Sequence, residues 1–280
     1  MPTPLSVRNT NLPRNQFQDV KKIPAGAWAL PLLPLLLWLV AALVSTPAEL
    51  FLQINQKAHA LPDSLWVFFD LLGNGWYDFA LATPLLLLAP RNLVSSVCAG
   101  AIAGLSGRAL KLTLELPRPA SVLDPASFHI LGNPLTSLAM PSGHTLTAFA
   151  LITAFYFSTP AEKRKPLVCL FLIPLMAGIA RIAVGAHWPA DVMAGAAIGI
   201  LGGLIGTHLC RNIPPQLLRP QSWLMRLLAA GSVLCVYMLV SSEIDFTQAL
   251  PFQWAAASIG TLSLVAFAIQ TVRRPRSYNY

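Results

Sequence analysis

Apolar runs long enough to cross a bilayer, separated by short polar segments, repeat along almost the whole chain. Taking about 17 to 25 residues as a spanning helix, the pattern predicts eight, at roughly 27–45, 74–89, 93–112, 143–159, 167–184, 189–209, 223–240 and 252–271. The second is the weakest, because it is short, carries Asp78 and follows a Gly73-Asn74-Gly75 break. Between Pro47 and Leu72 the pattern predicts one or two helices lying at the interface, with Leu50, Phe51, Ile54, Trp66 and Phe69 available to face lipid. Trp28, Trp76, Trp188, Trp223 and Trp254 fall near predicted span ends, as in an aromatic belt.

Three polar blocks stand out against this background: Lys111–Pro119 (KLTLELPRP), Pro141–His144 (PSGH) and Arg181–Asp191 (RIAVGAHWPAD). Charges at such positions are expensive and usually functional. The distribution of the other basic residues orients them. With the N-terminus inside, the cytoplasmic segments hold Arg8, Arg14, Lys21, Lys22, Arg91, Lys163, Arg164, Lys165, Arg211, Arg219, Arg226, Arg273, Arg274 and Arg276, or 14 of the 19 Lys and Arg residues. The remaining five are Lys57, Arg108, Lys111, Arg118 and Arg181, three of which belong to the polar blocks. The positive-inside rule therefore predicts both termini in the cytoplasm and all three blocks together on the outer face.

Composition narrows the class. With 55% hydrophobic and 11% charged residues the chain is outside the range of soluble folds and reads as an all-α, polytopic membrane bundle. The net charge of +8 does not predict a nucleic-acid partner, because Lys and Arg punctuate apolar runs instead of forming a polar face. Cys98, Cys169, Cys210 and Cys235 have neither metal-ligand nor redox spacing and read as small core residues. The first run follows Lys21 and Lys22 as a signal peptide would, but its length and the lack of a convincing cleavage site predict a retained span.

Each block has its own chemistry. Lys111 supplies a point charge and Arg118 a planar fork of donors suited to phosphate oxygens, although an isolated pair of this kind can simply snorkel. Pro141-Ser142-Gly143-His144 has the grammar of a helix start: Ser142 at the N-cap, Gly143 permitting close backbone approach, and His144 in the first turn. Free N–H groups there suit an anion, and a plain cap would look the same. Pro189 suits the first helical position, which leaves His187 just before a helix and Asp191 within its first turn. Asp191 can then fix one imidazole nitrogen and leave the other free to attack; alone, such a pair is more often structural. Arg181 adds a buried cation that needs an anion.

Together the blocks are far more specific. Ten fixed residues at background frequencies near 5% match by chance on the order of 10⁻¹³ per fixed arrangement, which excludes coincidence. Lys-x6-Arg-Pro, Pro-Ser-Gly-His and Arg-x5-His-x3-Asp resemble the signature of the type 2 phosphatidic acid phosphatase superfamily of integral-membrane lipid phosphatases. The resemblance implies a six-span core at about 27–209, preceded by a cytoplasmic tail (1–26) and followed by two additional spans and a basic tail (210–280). It implies His187 as a nucleophile forming phosphohistidine, Asp191 as its orienting partner, and His144 as general acid. Lys111, Arg118, Ser142, the Gly143 backbone and Arg181 would cradle phosphate, with no metal or other cofactor. One position departs from the pattern: Ala180 stands where the family usually has Ser, which bears on rate or substrate preference more than on the reaction.

The expected function is thus hydrolysis of a lipid phosphate or diphosphate at the outer leaflet of a bacterial inner membrane. Undecaprenyl diphosphate, phosphatidylglycerol phosphate and phosphatidic acid are the substrates implied. Dephosphorylation of lipid A or phosphotransfer on the same site is a related alternative, and a lipid-phosphate transporter or binding protein a distinct one. Two histidines with opposite starting protonation predict a bell-shaped pH–rate profile. His59, His129 and His208 match no motif, and His129 reads as a solvated loop residue. Arg108 could extend the phosphate cluster or pair with Glu115. Asp70 and Asp78 have no evident basic neighbour and are expected at the outer interface.

Overall fold

The computed structural model describes residues 23–272, so the terminal basic residues outside that range lie outside the described residues. The described chain is built from eleven α-helices with short 3-10 turns and contains no strand. They are α1 (Leu32–Ala42), α2 (Pro47–Ala58), α3 (Asp63–Leu71), α4 (Gly75–Leu81), α5 (Leu85–Leu88), α6 (Pro90–Leu114), α7 (Gly143–Ser158), α8 (Leu172–Ala183), α9 (Pro189–Cys210), α10 (Trp223–Ser241) and α11 (Leu250–Val272).

Six helical segments among the described residues are long and apolar enough to cross a membrane: Ala25–Ala42, Pro90–Ser121, Lys165–Ala183, Pro189–Cys210, Pro215–Ser241 and Thr247–Val272. Large apolar side chains such as Leu36, Leu227 and Leu262 are exposed on them, as lipid-facing surfaces require. Two of the eight expected spans differ. The second is two short helices, α4 and α5, because Pro84 cannot continue α4 and instead caps α5. The fourth is α7, only 16 residues long, or about 24 Å at the helical rise.

The centre of the bundle is α7 packed against α6 and α9. Small residues allow this closeness: a Cβ on Gly199 would lie 2.5 Å from the Leu146 carbonyl oxygen of α7, and one on Gly206 2.7 Å from the Ala99 nitrogen of α6. In lipid, where apolar burial offers little between helices, such backbone contact is a main source of packing energy. At the end away from the polar blocks, arginines close the helix C-termini. Arg91 donates to the carbonyls of Cys210, Arg211 and Ile213, and Arg164 to those of Phe157 and Thr159.

The helices expected to lie on lipid are part of the core. Phe51 of α2 and Trp66 of α3 are buried, since α2 and α3 pack against α8. The reason lies in Asn55, a fully buried amide that donates to the carbonyls of Ile182, Ala183 and His129 and accepts from the His129 N–H. It satisfies the end of α8 and ties down the loop that follows α6. Trp188 also faces protein: its ring packs on Phe51 and its indole N–H donates to the Pro117 carbonyl, whereas the other four belt tryptophans are exposed. The cysteines are all free, with Cys210 and Cys235 buried and Cys169 exposed.

Candidate active site

The C-terminal ends of α6 and α8 and the N-terminal ends of α7 and α9 meet at one end of the bundle, and this brings the three polar blocks together. Lys111 comes from the last turn of α6, which stops at Glu115 in a left-handed conformation (φ 47°). Ser142 stands at the N-cap position of α7, Arg181 sits in the last turn of α8, and Asp191 is in the first turn of α9. A backbone bond from the Ser142 N–H to the Asp191 carbonyl, 2.9 Å, joins the starts of α7 and α9.

His187 is almost completely buried. Its Nδ1 lies 3.2 Å from Asp191 Oδ2, and its Nε2 lies 3.1 Å from an Arg118 guanidinium nitrogen. The neighbours settle the tautomer. Arg can only donate, so Nε2 must accept; an ionised carboxylate can only accept, so Nδ1 must carry the proton. Asp191 is itself held by the Trp188 N–H, 2.9 Å from the same oxygen. Burial comes first in pushing the His187 ring well below the usual histidine range, and the charges of Arg181, Arg118, Lys111 and His144 add to it. The ring is neutral, with a lone pair on Nε2.

The cations are tethered by carbonyls. Lys111 donates to Leu138 O (3.1 Å), and Arg118 to Ser137 O (3.2 Å) and Ala186 O (2.9 Å). Neither makes an ion pair among the described residues. Two partly or wholly buried positive charges therefore stand beside His187 with their positions fixed and, among the described residues, no carboxylate in direct contact. Arg181 is different: it donates to Asp70 Oδ1, while its buried Nε has no partner.

Asp70 corrects the expectation of an interfacial residue. It is fully buried on α3, bridging Arg181 and His144, whose Nε2 lies 3.5 Å from Asp70 Oδ2. Its place inside the apolar run LWVFFDLL was the available signal. Asp245, between α10 and α11, also reaches His144, at 3.3 Å from Nε2, and accepts from Asn74 Nδ2 at 3.0 Å. The local sequence SSEIDF carries no sign of that contact. Asp78 lies on α4 with a buried oxygen that makes no hydrogen bond.

Ser142 occupies the N-cap position, yet its side chain caps no N–H; its fully buried Oγ instead accepts from Thr145 Oγ1 at 3.0 Å. Gly143 borders a cavity of about 570 Å³ that Arg108, Lys111, His144 and Phe79 also line. A Cβ at Gly143 would meet nothing within 4 Å. Arg108 is exposed in that wall and makes no bond to Glu115. His129 is not simply solvated: it bonds Asp63 at 3.0 Å and its ring lies 4.2 Å from that of His59. Ala180 is fully buried in the apolar cluster with Val67, Leu71 and Ile244.

Among the described residues, two groups of donors lie close enough to share an ion, His59 with Asp63 and His129, and Asp70 with His144 and Asp245. In the first, the Asp63–His129 bond accounts for the arrangement. In the second, Arg181 already compensates Asp70.

Residues 90–214 match the model of the PAP2 superfamily. An undecaprenyl-diphosphatase of Sulfolobus acidocaldarius is 30% identical over 155 residues, covering 54% of this chain and 72% of the relative. A lipid A 1-phosphatase of Porphyromonas gingivalis is 42% identical over 66 residues, 24% of this chain but only 15% of the length of that protein. The crystal structure of Aquifex aeolicus LpxE superposes with a TM-score of 0.51 at 33% identity, covering 57% of this chain and 93% of that one.

Proposed function

The chain belongs to the PAP2 superfamily, and from that premise we propose that it is a membrane phosphatase that hydrolyses a lipid phosphate or diphosphate. The observation that carries this reading is the placing of His187 between Asp191 and Arg118, from which its tautomer follows. Asp191 holds Nδ1–H, and the Nε2 lone pair is turned toward a cation that has no anionic partner. A phosphate entering between Lys111 and Arg118 supplies the missing anion and presents its phosphorus to Nε2.

In the proposed reaction, Nε2 attacks phosphorus and the bond to the lipid oxygen breaks. That oxygen takes a proton from His144, leaving phosphohistidine at His187 and a neutral His144. A water then gives its proton to His144 and attacks phosphorus, the P–N bond breaks, and inorganic phosphate leaves with both histidines restored. Phosphate-monoester hydrolysis is among the slowest uncatalysed reactions, so most of the catalysis is electrostatic. Lys111, Arg118, Arg181, the Ser142 hydroxyl and the Gly143 N–H are the proposed donors to the developing charge. The chain's own residues account for each proton and bond in this scheme.

Several apolar residues line the 570 Å³ cavity, a size suited to part of a lipid tail, and Lys111 and His144 lie in the same wall. This supports a lipid substrate over a soluble phosphate ester. Relatives named as lipid A 1-phosphatases and as an undecaprenyl-diphosphatase make a glycolipid 1-phosphate and a polyprenyl diphosphate the first substrates to try. The basic-residue distribution supports an outward-facing site with both termini inside; a bacterial inner membrane and a six-span core at 27–209 are the setting that the family resemblance implies.

The test is phosphate release from a panel of lipid phosphates by the purified protein and by its His187→Ala variant. The wild type is expected to release phosphate from at least one lipid and the variant to be slower by roughly 10⁴-fold or more. Equal release by the two proteins would exclude the mechanism. Binding of the lipids without turnover would favour the transporter alternative.

A further inference from the structure

The last two helices lie beyond the segment that matches the family, yet they reach the catalytic centre. We propose that the α10–α11 connection is part of that centre, with Asp245 as a positioning residue that holds the Nε2–H of His144 and leaves Nδ1–H for the leaving oxygen. The inference rests on His144 being the acid in the reaction above, and it extends the site to a residue outside the three motifs.

Geometry carries it in three ways. His144 Nε2 has a carboxylate on two sides, Asp245 at 3.3 Å and Asp70 at 3.5 Å, while Nδ1 has no hydrogen-bond partner among the described residues. A protonated imidazole has two N–H groups. The carboxylates accept one, and the other is the proton the reaction can spend. His144 thus stands to Asp245 and Asp70 much as His187 stands to Asp191, but held by the opposite nitrogen.

Second, Asp70 Oδ2 is buried and makes no hydrogen bond of its own. Its other oxygen is taken by Arg181, so the unsatisfied oxygen beside Nε2 favours a ring that carries a proton there.

Third, Asp245 is held in place by more than its own contacts. It adopts a left-handed conformation (φ 58°), which Asp tolerates better than most residues. Ile244 and Phe246 on either side are buried in the same apolar cluster as Val67 and Leu71 of α3 and Ala180 of α8. The Phe246 ring packs on Gly132, which is itself at φ 76°. Burying both neighbours leaves the carboxylate between them aimed at the site. Asp245 is itself partly exposed; what burial it has would raise its carboxyl, and the bond and charge of His144, the charge of Arg181 and the Asn74 bond outweigh it and hold the group at about 2. The charged or titratable groups around the His144 ring are thus Asp70 from α3, Asp245 from the α10–α11 connection, Arg181 from α8, the neutral His187 before α9, and Arg108 and Lys111 of α6, which line the same cavity.

The experiment is ¹⁵N NMR of histidine-labelled full-length protein in nanodiscs, with His144 assigned through His144→Gln. At the pH where the wild-type His144 ring is half-protonated, the ring in Asp245→Asn should be protonated in about one molecule in ten. Asn74→Ala, which removes the bond to Asp245 together with the cap that Asn74 Oδ1 gives the Trp76 N–H of α4, should move it in the same direction by less. In parallel, kcat of Asp245→Asn should fall about tenfold with KM within twofold, and its alkaline limb should move to lower pH. In a His144→Ala background the same substitution should cost nothing further. An unchanged protonated fraction in both Asp245→Asn and Asn74→Ala would overturn the proposal, as would a uniform loss of kcat with an unmoved alkaline limb. The NMR measurement needs no turnover, so it decides the role of Asp245 even if no lipid phosphate is hydrolysed and the proposed reaction falls.

Discussion

At the scale of single residues, the site is governed by which groups can only donate and which can only accept. Arg118 spends its fork on Ser137, Ala186 and His187, a geometry no ammonium reproduces. Arg118→Lys should therefore behave almost as badly as Arg118→Ala, with kcat down by about 10²-fold or more in each. Recovery to within threefold by Lys in a phosphate-release assay would show that charge alone suffices. Protonation follows the same logic. Because burial and nearby cations keep the His187 ring well below its ordinary value of about 6.5, acid does not remove the nucleophile near that pH. The acid limb of the expected bell-shaped profile should accordingly lie far below it, with the rate between pH 7 and about 5.5 changing less than about threefold. A tenfold loss per pH unit across that window would mean that the His187–Asp191 pair takes up a proton there. The same depressed value gives a stability effect of defined sign. The folded state takes up fewer protons than the unfolded state once pH drops below about 6.5, so stability is full above that pH and declines below it toward the folded value.

At the scale of helices, the start of α7 is the element on which the chemistry turns. It is fixed to α9 through Ser142 and Asp191, and on its other side Gly73 packs directly on it. A Cβ at Gly73 would lie 2.7 Å from both Cβ and the carbonyl oxygen of His144. Backbone cannot yield as a flexible side chain does, so Gly73→Ala should shift His144 and lower kcat by about 10²-fold. Near-normal kinetics for this variant, measured beside an unchanged helical circular-dichroism spectrum, would show that α7 has slack at this point. The sequence pattern located the ends of α7 and α9 well, because Pro141, Ser142 and Pro189 act through local backbone geometry. It failed at α4 and α5, where an apolar run outweighed the Pro84 break, and at α2 and α3, where amphipathic helices pack on protein instead of lipid. Amphipathicity reports that one face is apolar, not what covers it.

At the scale of the whole molecule, the bundle separates two kinds of charge. Lys111, Arg118 and Arg181 gather at one end, while Arg91 and Arg164 close helix C-termini at the other. If the first end faces outward, Ala126→Cys in the loop after α6 should react with an impermeant maleimide in intact cells, and Glu162→Cys only after permeabilisation, both in a Cys169→Ser background. The reverse labelling would invert the proposed topology. The sequence by itself determined the class of the molecule, most of its helices and every residue of the three motifs, including the His187–Asp191 pair. Those properties depend on composition, on residues a few positions apart, or on patterns too improbable to arise by chance. Only the tertiary structure decided that Asp70 is buried between Arg181 and His144, that Asp245 reaches the same ring from beyond the family core, and that Ala180 packs among apolar side chains. The physical reason is range. Asp70 and His144 are 74 positions apart, and Asp245 and His144 are 101 apart, and no local propensity encodes which of several acids a packed bundle will bring to one imidazole.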